Sequence, residues 1–329
     1  MTGPQPPRDD LGHPVPLTRP ARRVVSLVPS LTESVAVTRP SALVGATTWC
    51  THPAGLDVAR VRGTKNPDLT AIRALEPDLV LANQEENRRV DVERLRAAGI
   101  PVWVTVIRDL DEAVASLRRM FSRALGWREP PWLTQAEQAW AQPVPGPRIR
   151  VAIPIWRDPW MVVGSGTFTG DLAARLGLDN VYADHPGRYP HVELSDLEAR
   201  GPSLIVLPDE PYAFSATDGP EMFPSHRVAL VAGRDLTWYG PSLVTARPVL
   251  LAAISPKPPA ALAGRCVQAG CHSSTRLPSG SVTQPNRPTP SMSCGSSATS
   301  APLARNCASI ASRSRTRKLS MVCWARDPK

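Results

Sequence analysis

LTAIRALEPDLVLAN at residues 69–83 and LSDLEARGPSLIVLP at residues 194–208 align without a gap at an offset of 125 residues. Leu69, Ile72, Ala74, Pro77, Leu79, Val80 and Leu81 meet Leu194, Leu197, Ala199, Pro202, Leu204, Ile205 and Val206. Each copy reads as a short helix, a proline break and a buried strand. Two further echoes keep nearly the same spacing. Arg23-Val24-Val25 answers Arg150-Val151-Ala152, and Arg108-Asp109-Leu110 answers Arg234-Asp235-Leu236. Two copies of one unit predict two similar α/β lobes with a cleft between them, the geometry of a ligand-binding protein.

Outward from the repeat, strands and helices alternate. VVSLVPSL from Val24 predicts a strand running into Pro29-Ser30, with a helix start at Thr32-Glu33. ALVGATTW, DLVLAN and IPVWVTV read as further strands, and VDVERLRAAG as a helix closed by Gly99. Such alternation implies parallel sheets covered by helices. Asp109 and Glu112 form a cap pair for LDEAVASLRRMFSRALG, whose Leu110, Val114, Leu117, Phe121 and Leu125 share one face. The predicted organisation is a disordered N-terminus over 1–21, an α/β lobe over 22–107, a helical linker over 108–147 and a second α/β lobe over 148–254. Residues 255–329 form a basic, disordered tail whose abrupt change of composition is that of a shifted reading frame.

Charge and cysteine divide along the same boundary. The 329 residues carry a net +9, but the tail from Ser255 alone holds 11 Lys/Arg against one acid, leaving the body at −1. A near-neutral body does not support nucleic-acid binding, and SRSRTRK from Ser312 is the one stretch that resembles a basic RNA-binding arm. Cys50 is the sole cysteine of the body, which fits a reducing compartment. The N-terminal stretch shows no apolar signal core and no lipid-acceptor cysteine, so the expected location is the cytoplasm. No stretch reaches the ~20 apolar residues of a membrane span. No G-x-S-x-G, H-E-x-x-H or phosphate-loop pattern is present. The spacing of GSGTFTG from Gly164 fits a turn into a helix. The reading is therefore not an enzyme, with no catalytic cofactor; an enzyme acting on a tetrapyrrole is the catalytic alternative.

SLVPSLTE from Ser26, GATTWCTHP from Gly45, GTKNPDL from Gly63 and ALEPDLVLA from Ala74 resemble the first lobe of the cobalamin/iron-siderophore periplasmic-binding-protein-like superfamily. GTFTGDLAARLGLDNVYAD from Gly166, LPDEPYAF from Leu207 and WYGPSL from Trp238 resemble its second lobe. The resemblance runs from about Arg22 to Ile254, in the family's order, and is closest to the helical-backbone metal receptor branch without signal peptides. It implies the class III substrate-binding-protein fold, two Rossmann-like lobes joined by a bridging helix, with a metal chelate clasped between them. Cobalamin or another corrinoid is the ligand it implies first, and haem or a ferric siderophore second. WLTQAEQAWA as bridging helix spans only about 15 Å at ~1.5 Å per residue, shorter than the family's. Transporter-coupled members carry a glutamate near the start of the repeat helix in each lobe; Thr70 and Ser195 stand there instead, which argues against coupling to a transporter.

Residues just after strands face the cleft in parallel α/β lobes, and broad tetrapyrrole discs suit aromatic walls. The candidates are Trp49, Trp156, Trp160, Tyr189, Tyr212, Phe214, Trp238 and Tyr239, with Pro29 and Ser30 at the start of a helix as polar contacts. Trp49 and Tyr189 match positions where cobalamin-binding relatives place aromatics. Each candidate has packing as its alternative, and Trp103, Trp132 and Trp140 are assigned to packing. His52, His185 and His191 are candidate axial ligands to a chelated metal, with His52 preferred, or else loop residues. Asp209-Glu210 either binds polar ligand groups or caps a turn. Arg62, Lys65, Arg157 and Arg188 are the side chains an anionic siderophore would need.

Overall fold

The first lobe grows from short apolar runs that pair in parallel. A computed structural model describes residues 5–255 of the chain, and the predicted disorder and reading-frame shift of the tail lie outside the described residues. Its strands are β1 (Val24–Ser26), β2 (Leu43–Ala46), β3 (Ala59–Arg60), the antiparallel hairpin pair β4 (Arg62–Gly63) and β5 (Asn66–Pro67), β6 (Leu79–Asn83) and β7 (Val102–Thr105). Its helices are α1 (Pro29–Thr38), α2 (Leu69–Ala74) and α3 (Arg89–Ala97). The main sheet is parallel in the order β3-β2-β1-β6-β7. α1 starts at Pro29, three residues before the predicted Thr32, because proline suits the first turn, where its missing N–H costs nothing.

The second lobe repeats the scheme with β8 (Ile149–Ala152), the antiparallel pair β9 (Pro154–Trp156) and β10 (Met161–Val162), β11 (Leu178–Asn180), β12 (Leu204–Pro208) and β13 (Arg227–Val231). Helices α6 (Phe168–Arg175), α7 (Leu194–Ala199), α8 (Gly233–Thr237) and α9 (Leu243–Ile254) cover it. Its sheet order, β11-β8-β12-β13, corresponds strand for strand to β2-β1-β6-β7, and all pairs are parallel. The gapless repeat thus becomes α2–β6 in one lobe and α7–β12 in the other.

The echoed arginines have one job in both copies. Arg23 donates from Nε to the carbonyls of Leu75 and Glu76 at 3.1 and 3.2 Å, capping the C-terminus of α2. Arg150 donates to the carbonyls of Arg200 and Gly201 at the end of α7. Charge at a helix C-terminus satisfies the orphan carbonyls and complements the helix dipole. The copies differ at the turn itself: Gly201 has φ 60°, whereas its counterpart Glu76 holds φ 45°. A side chain there costs about 1–2 kcal/mol, and the following proline adds restriction. Glu76→Gly is therefore expected to raise stability by roughly 0.5–1 kcal/mol in urea denaturation, after the entropy glycine adds to the unfolded chain. A loss of stability would show that Glu76 has a role beyond the turn.

Between the lobes, α4 (Leu110–Arg119) continues as a π-turn over Met120–Leu125, and α5 (Pro131–Trp140) follows. The Asp109 carboxylate accepts from the Glu112 amide at 2.7 Å and Glu112 reaches back to the Arg108 amide at 3.0 Å, the expected reciprocal cap. The connection is thus not WLTQAEQAWA alone. Residues 110–125 add a helical run of about 24 Å at ~1.5 Å per residue, missed because Gly126 and the Pro130-Pro131 pair separate two helices that both serve the linker. Leu110, Val114, Leu117, Phe121 and Leu125 are all buried, in a core shared with α1, α9 and the facing sides of both sheets. Trp103, Trp132 and Trp140 are buried packers, as expected.

The predicted disordered N-terminus is corrected over its described part. Asp9 is buried, accepting from Arg96 Nη2 at 2.5 Å and from the amides of Leu11 and His13. Asp10 accepts from the Val106 amide at 3.1 Å, from Arg119 at 2.7 Å and from Ser116, while its own amide donates to the Val104 carbonyl. These contacts satisfy the open backbone edge beside β7. Val15 is buried in the shared core. Two acids in a proline-rich stretch read as solvated because their partners lie far along the chain.

Candidate functional site: the seam between the lobes

Parallel strands aim their C-terminal ends at one side of each sheet, and the loops found there meet across the lobes. α1 carries the N-lobe's contribution. Pro29 to Ala36 are all buried, since one side of the helix packs in the N-lobe core and the other is approached by residues 234–240. A Cβ on Gly240 would lie 3.0 Å from the Ser30 carbonyl and the Ser34 hydroxyl, so a larger residue there would push on α1. Glu33 is ion-paired with Arg234 of the C-lobe. Cys50 lies buried nearby, within 3.0 Å of Thr32 Oγ1 and 3.1 Å of Thr47 Oγ1.

After β6 the chain presents Glu85 and Glu86. Tyr189 donates its phenol to Glu85 Oε2 at 3.0 Å, Arg188 pairs with the same carboxylate, and Lys65 donates to the Glu85 backbone carbonyl. Tyr239 donates to Glu86 Oε1 at 3.0 Å. Burial pushes the Glu85 carboxyl up against the pull of Arg188. Desolvation, opposed by the Tyr239 hydrogen bond and Lys65, pushes Glu86 up to about 7. Tyr239 is driven upward by its own burial and by Glu86, with the Ser30 hydroxyl pulling the other way. On the C-lobe side Trp238 donates its indole N–H to Glu210 at 2.9 Å, and burial again raises that carboxyl. His52 meets Trp238 edge-on at 5.4 Å across the seam.

Four sequence candidates converge here. Ser30, Tyr189, Trp238 and Tyr239 stand at the lobe junction, and Pro29 precedes Ser30 at the start of α1. Trp49, 66% exposed, leans over Gly63, whose missing side chain leaves room for the indole. The other four gather elsewhere. Trp160 stacks on Phe214 at 6.0 Å and meets Phe223 edge-on at 5.3 Å, all three buried. Tyr212 joins this cluster at 4.6 Å from Phe214, and Trp156 meets Tyr212 edge-on at 5.6 Å. Trp160 and Phe214 are thus corrected from cleft walls to C-lobe core, since the loop after β12 folds back on the β9–β10 hairpin. His185 accepts from the Gly187 amide in its own loop, and His191 is exposed beside Met161. Among the described residues no group of three or more His, Cys, Asp or Glu is placed to hold a metal ion. Thr70 and Ser195 are exposed in the first turns of α2 and α7.

Sequence reasoning passed over Glu33, Glu85, Glu86 and Arg234. A signal for Glu85 was present: extending the repeat two residues past Asn83 and Pro208 aligns Glu85 with Glu210. Both acids leave equivalent strands and point into one seam.

No family model matches the chain. It is 26% identical over 202 residues to the vitamin B12-binding protein of Pectobacterium carotovorum, covering 58% of this chain and 72% of that protein. In structure it resembles the periplasmic vitamin B12 binding protein of Vibrio cholerae, with a TM-score of 0.59 at 19% identity over 71% of this chain and 96% of that one. The periplasmic heme-binding protein of Roseiflexus sp. RS-1 gives a TM-score of 0.62 at 21% identity over 71% and 97%. The chain is thus similar in sequence to vitamin B12-binding proteins and shares the fold of B12- and heme-binding periplasmic proteins. Its fold is the class III binding-protein architecture that the resemblance implied. Among the described residues no helix is long and apolar enough to cross a membrane.

Proposed function

We propose that this protein is a member of the B12- and siderophore-type binding-protein superfamily that binds cobalamin or a related corrinoid between its lobes and performs no chemistry on it. The observation that carries the choice of ligand is the charge pairing of the seam. Each basic side chain that an anionic chelate would need is already engaged: Arg188 with Glu85, Arg157 with Asp218 and Glu221, Arg62 with Asp68, and Lys65 with the Glu85 carbonyl. Glu85, Glu86 and Glu210 meet at the same place, where the propionates of haem or the anionic groups of siderophores would have to compete for cations already paired. A corrin rim of neutral amides needs no cation and donates hydrogen bonds to the three acids. Trp49 offers an open aromatic face; covering about 300 Å² of a corrin would contribute roughly 7 kcal/mol before association costs. The exposed, uncharged Thr70 and Ser195 support binding without delivery to a permease. A haem reading draws on His52 as axial ligand and on the haem-binding structural relative.

Titration with cyanocobalamin is expected to quench tryptophan fluorescence and to co-elute ligand on gel filtration, and Trp49→Ala is expected to weaken binding about tenfold or more. No quenching beyond the inner-filter effect would sink the corrinoid assignment. A Soret shift on adding haem, lost in His52→Ala, would replace it with haem.

A further inference from the structure

The seam is crossed by direct side-chain contacts. Tyr239–Glu86, Tyr189 and Arg188 with Glu85, and Arg234–Glu33 join residues 153, 104 and 201 apart respectively for the Tyr239, Tyr189 and Arg234 contacts. Arg188 and Arg234 neutralise Glu85 and Glu33. Among the described residues no guanidinium is ion-paired with Glu86; its hydrogen bond comes from the Tyr239 phenol. Around it stand Glu85 from its own loop, Lys65 from the β4–β5 turn, and Tyr239 and Glu210 from the C-lobe. The Cys50 thiol of the β2–β3 connection feels its charge. His52 and Arg234 act on Glu210 in turn, as does Asp209.

We propose that Glu86 and Tyr239 form a proton-gated latch that holds the lobes together and loosens as the solution turns alkaline. Glu85 (already paired with Arg188), Glu210 and Lys65 face the Glu86 carboxyl, and an ionised Glu86 loses its hydration when the seam is shut. That loss is relieved when the lobes part and water reaches the group. Opening therefore releases a proton. The carboxyl sits at about 7 in the closed seam and near the ordinary ~4.3 when solvated. Because the closed value is the raised one, closure is fully favoured below the solvated value and is progressively lost as pH climbs to about 7, with a plateau above. Between pH 6 and pH 8 the opening equilibrium rises about tenfold by this linkage. The latch stands without reference to any ligand, so its failure leaves the corrinoid reading untouched.

Hydrogen exchange on the full chain without ligand tests it, with rates normalised to intrinsic exchange at each pH. Peptides spanning 83–88 and 236–241 are expected to lose about tenfold protection from pH 6 to pH 8, while those of β6 and β12 keep theirs. Glu86→Gln, which keeps an acceptor for Tyr239 but cannot ionise, is expected to flatten that profile. Tyr239→Phe, which removes the hydrogen bond and adds no charge, should lower protection at both pH values and decides the matter if Glu86→Gln fails to fold. A flat wild-type profile overturns the latch. So does an unchanged slope in Glu86→Gln, or full protection in Tyr239→Phe.

Discussion

Trp140→Ala is expected to lower the stability of the folded chain by about 4 kcal/mol, read as a shift of the urea midpoint at constant slope. Trp140 ends α5, is wholly buried, and donates its indole N–H to the Leu243 carbonyl at 2.9 Å. Arg247 of α9 returns a bond to the Ala139 carbonyl at 2.7 Å. The pair ties the linker to the last described helix of the C-lobe, in the core that both lobes share. Alanine removes the ring from a site where neighbours from α5 and α9 cannot collapse together without breaking those bonds. Trp140→Phe separates the two effects: it keeps most of the packing and loses the hydrogen bond, so about 1–2 kcal/mol is expected. Equal losses in the two variants would mean that packing at this site is unimportant.

Asp9→Ala is expected to cost about 3 kcal/mol, from a segment the sequence presents as a solvated leader. The substitution strands Arg96, itself only 16% exposed, and removes the acceptor of the Leu11 and His13 amides. Burial raises the Asp9 carboxyl despite Arg96, so part of the pair's attraction is offset by desolvation already. Asp9→Asn keeps an acceptor for the two amides and gives up only the charge; a smaller loss is expected. Thermal and urea unfolding of both variants check this. Wild-type stability in Asp9→Ala would return residues 5–17 to the category of loosely held chain.

The fold was legible because its information is local and duplicated. Helix, proline break and strand recur in the same 15-residue register, and the Arg23 and Arg150 echoes mark the same helix-capping bond in each lobe. The capping pair of α4 and its apolar face were readable for the same reason, since each lies within a few helical turns. The candidate site was legible only in part. Tyr189, Trp238 and Tyr239 follow strand ends and do reach the lobe junction. Trp156, Trp160, Tyr212 and Phe214 follow strand ends equally well, yet they cluster on one another in the C-lobe. Nothing local separates the two sets, because an aromatic ring buries the same area against a ligand or against a neighbour.

By itself, then, the sequence determined two parallel α/β lobes, a helical linker, and the positions from which loops enter a cleft. These rest on periodicity, propensity and caps, whose interactions span a few residues. Tertiary structure decided which side chains meet in that cleft: Glu33 with Arg234, Glu85 with Tyr189, Glu86 with Tyr239. A carboxyl group acquires its ionisation behaviour from the groups and the water around it, not from its chain neighbours. Glu86 is an ordinary glutamate until the second lobe arrives, 153 residues later, to desolvate it.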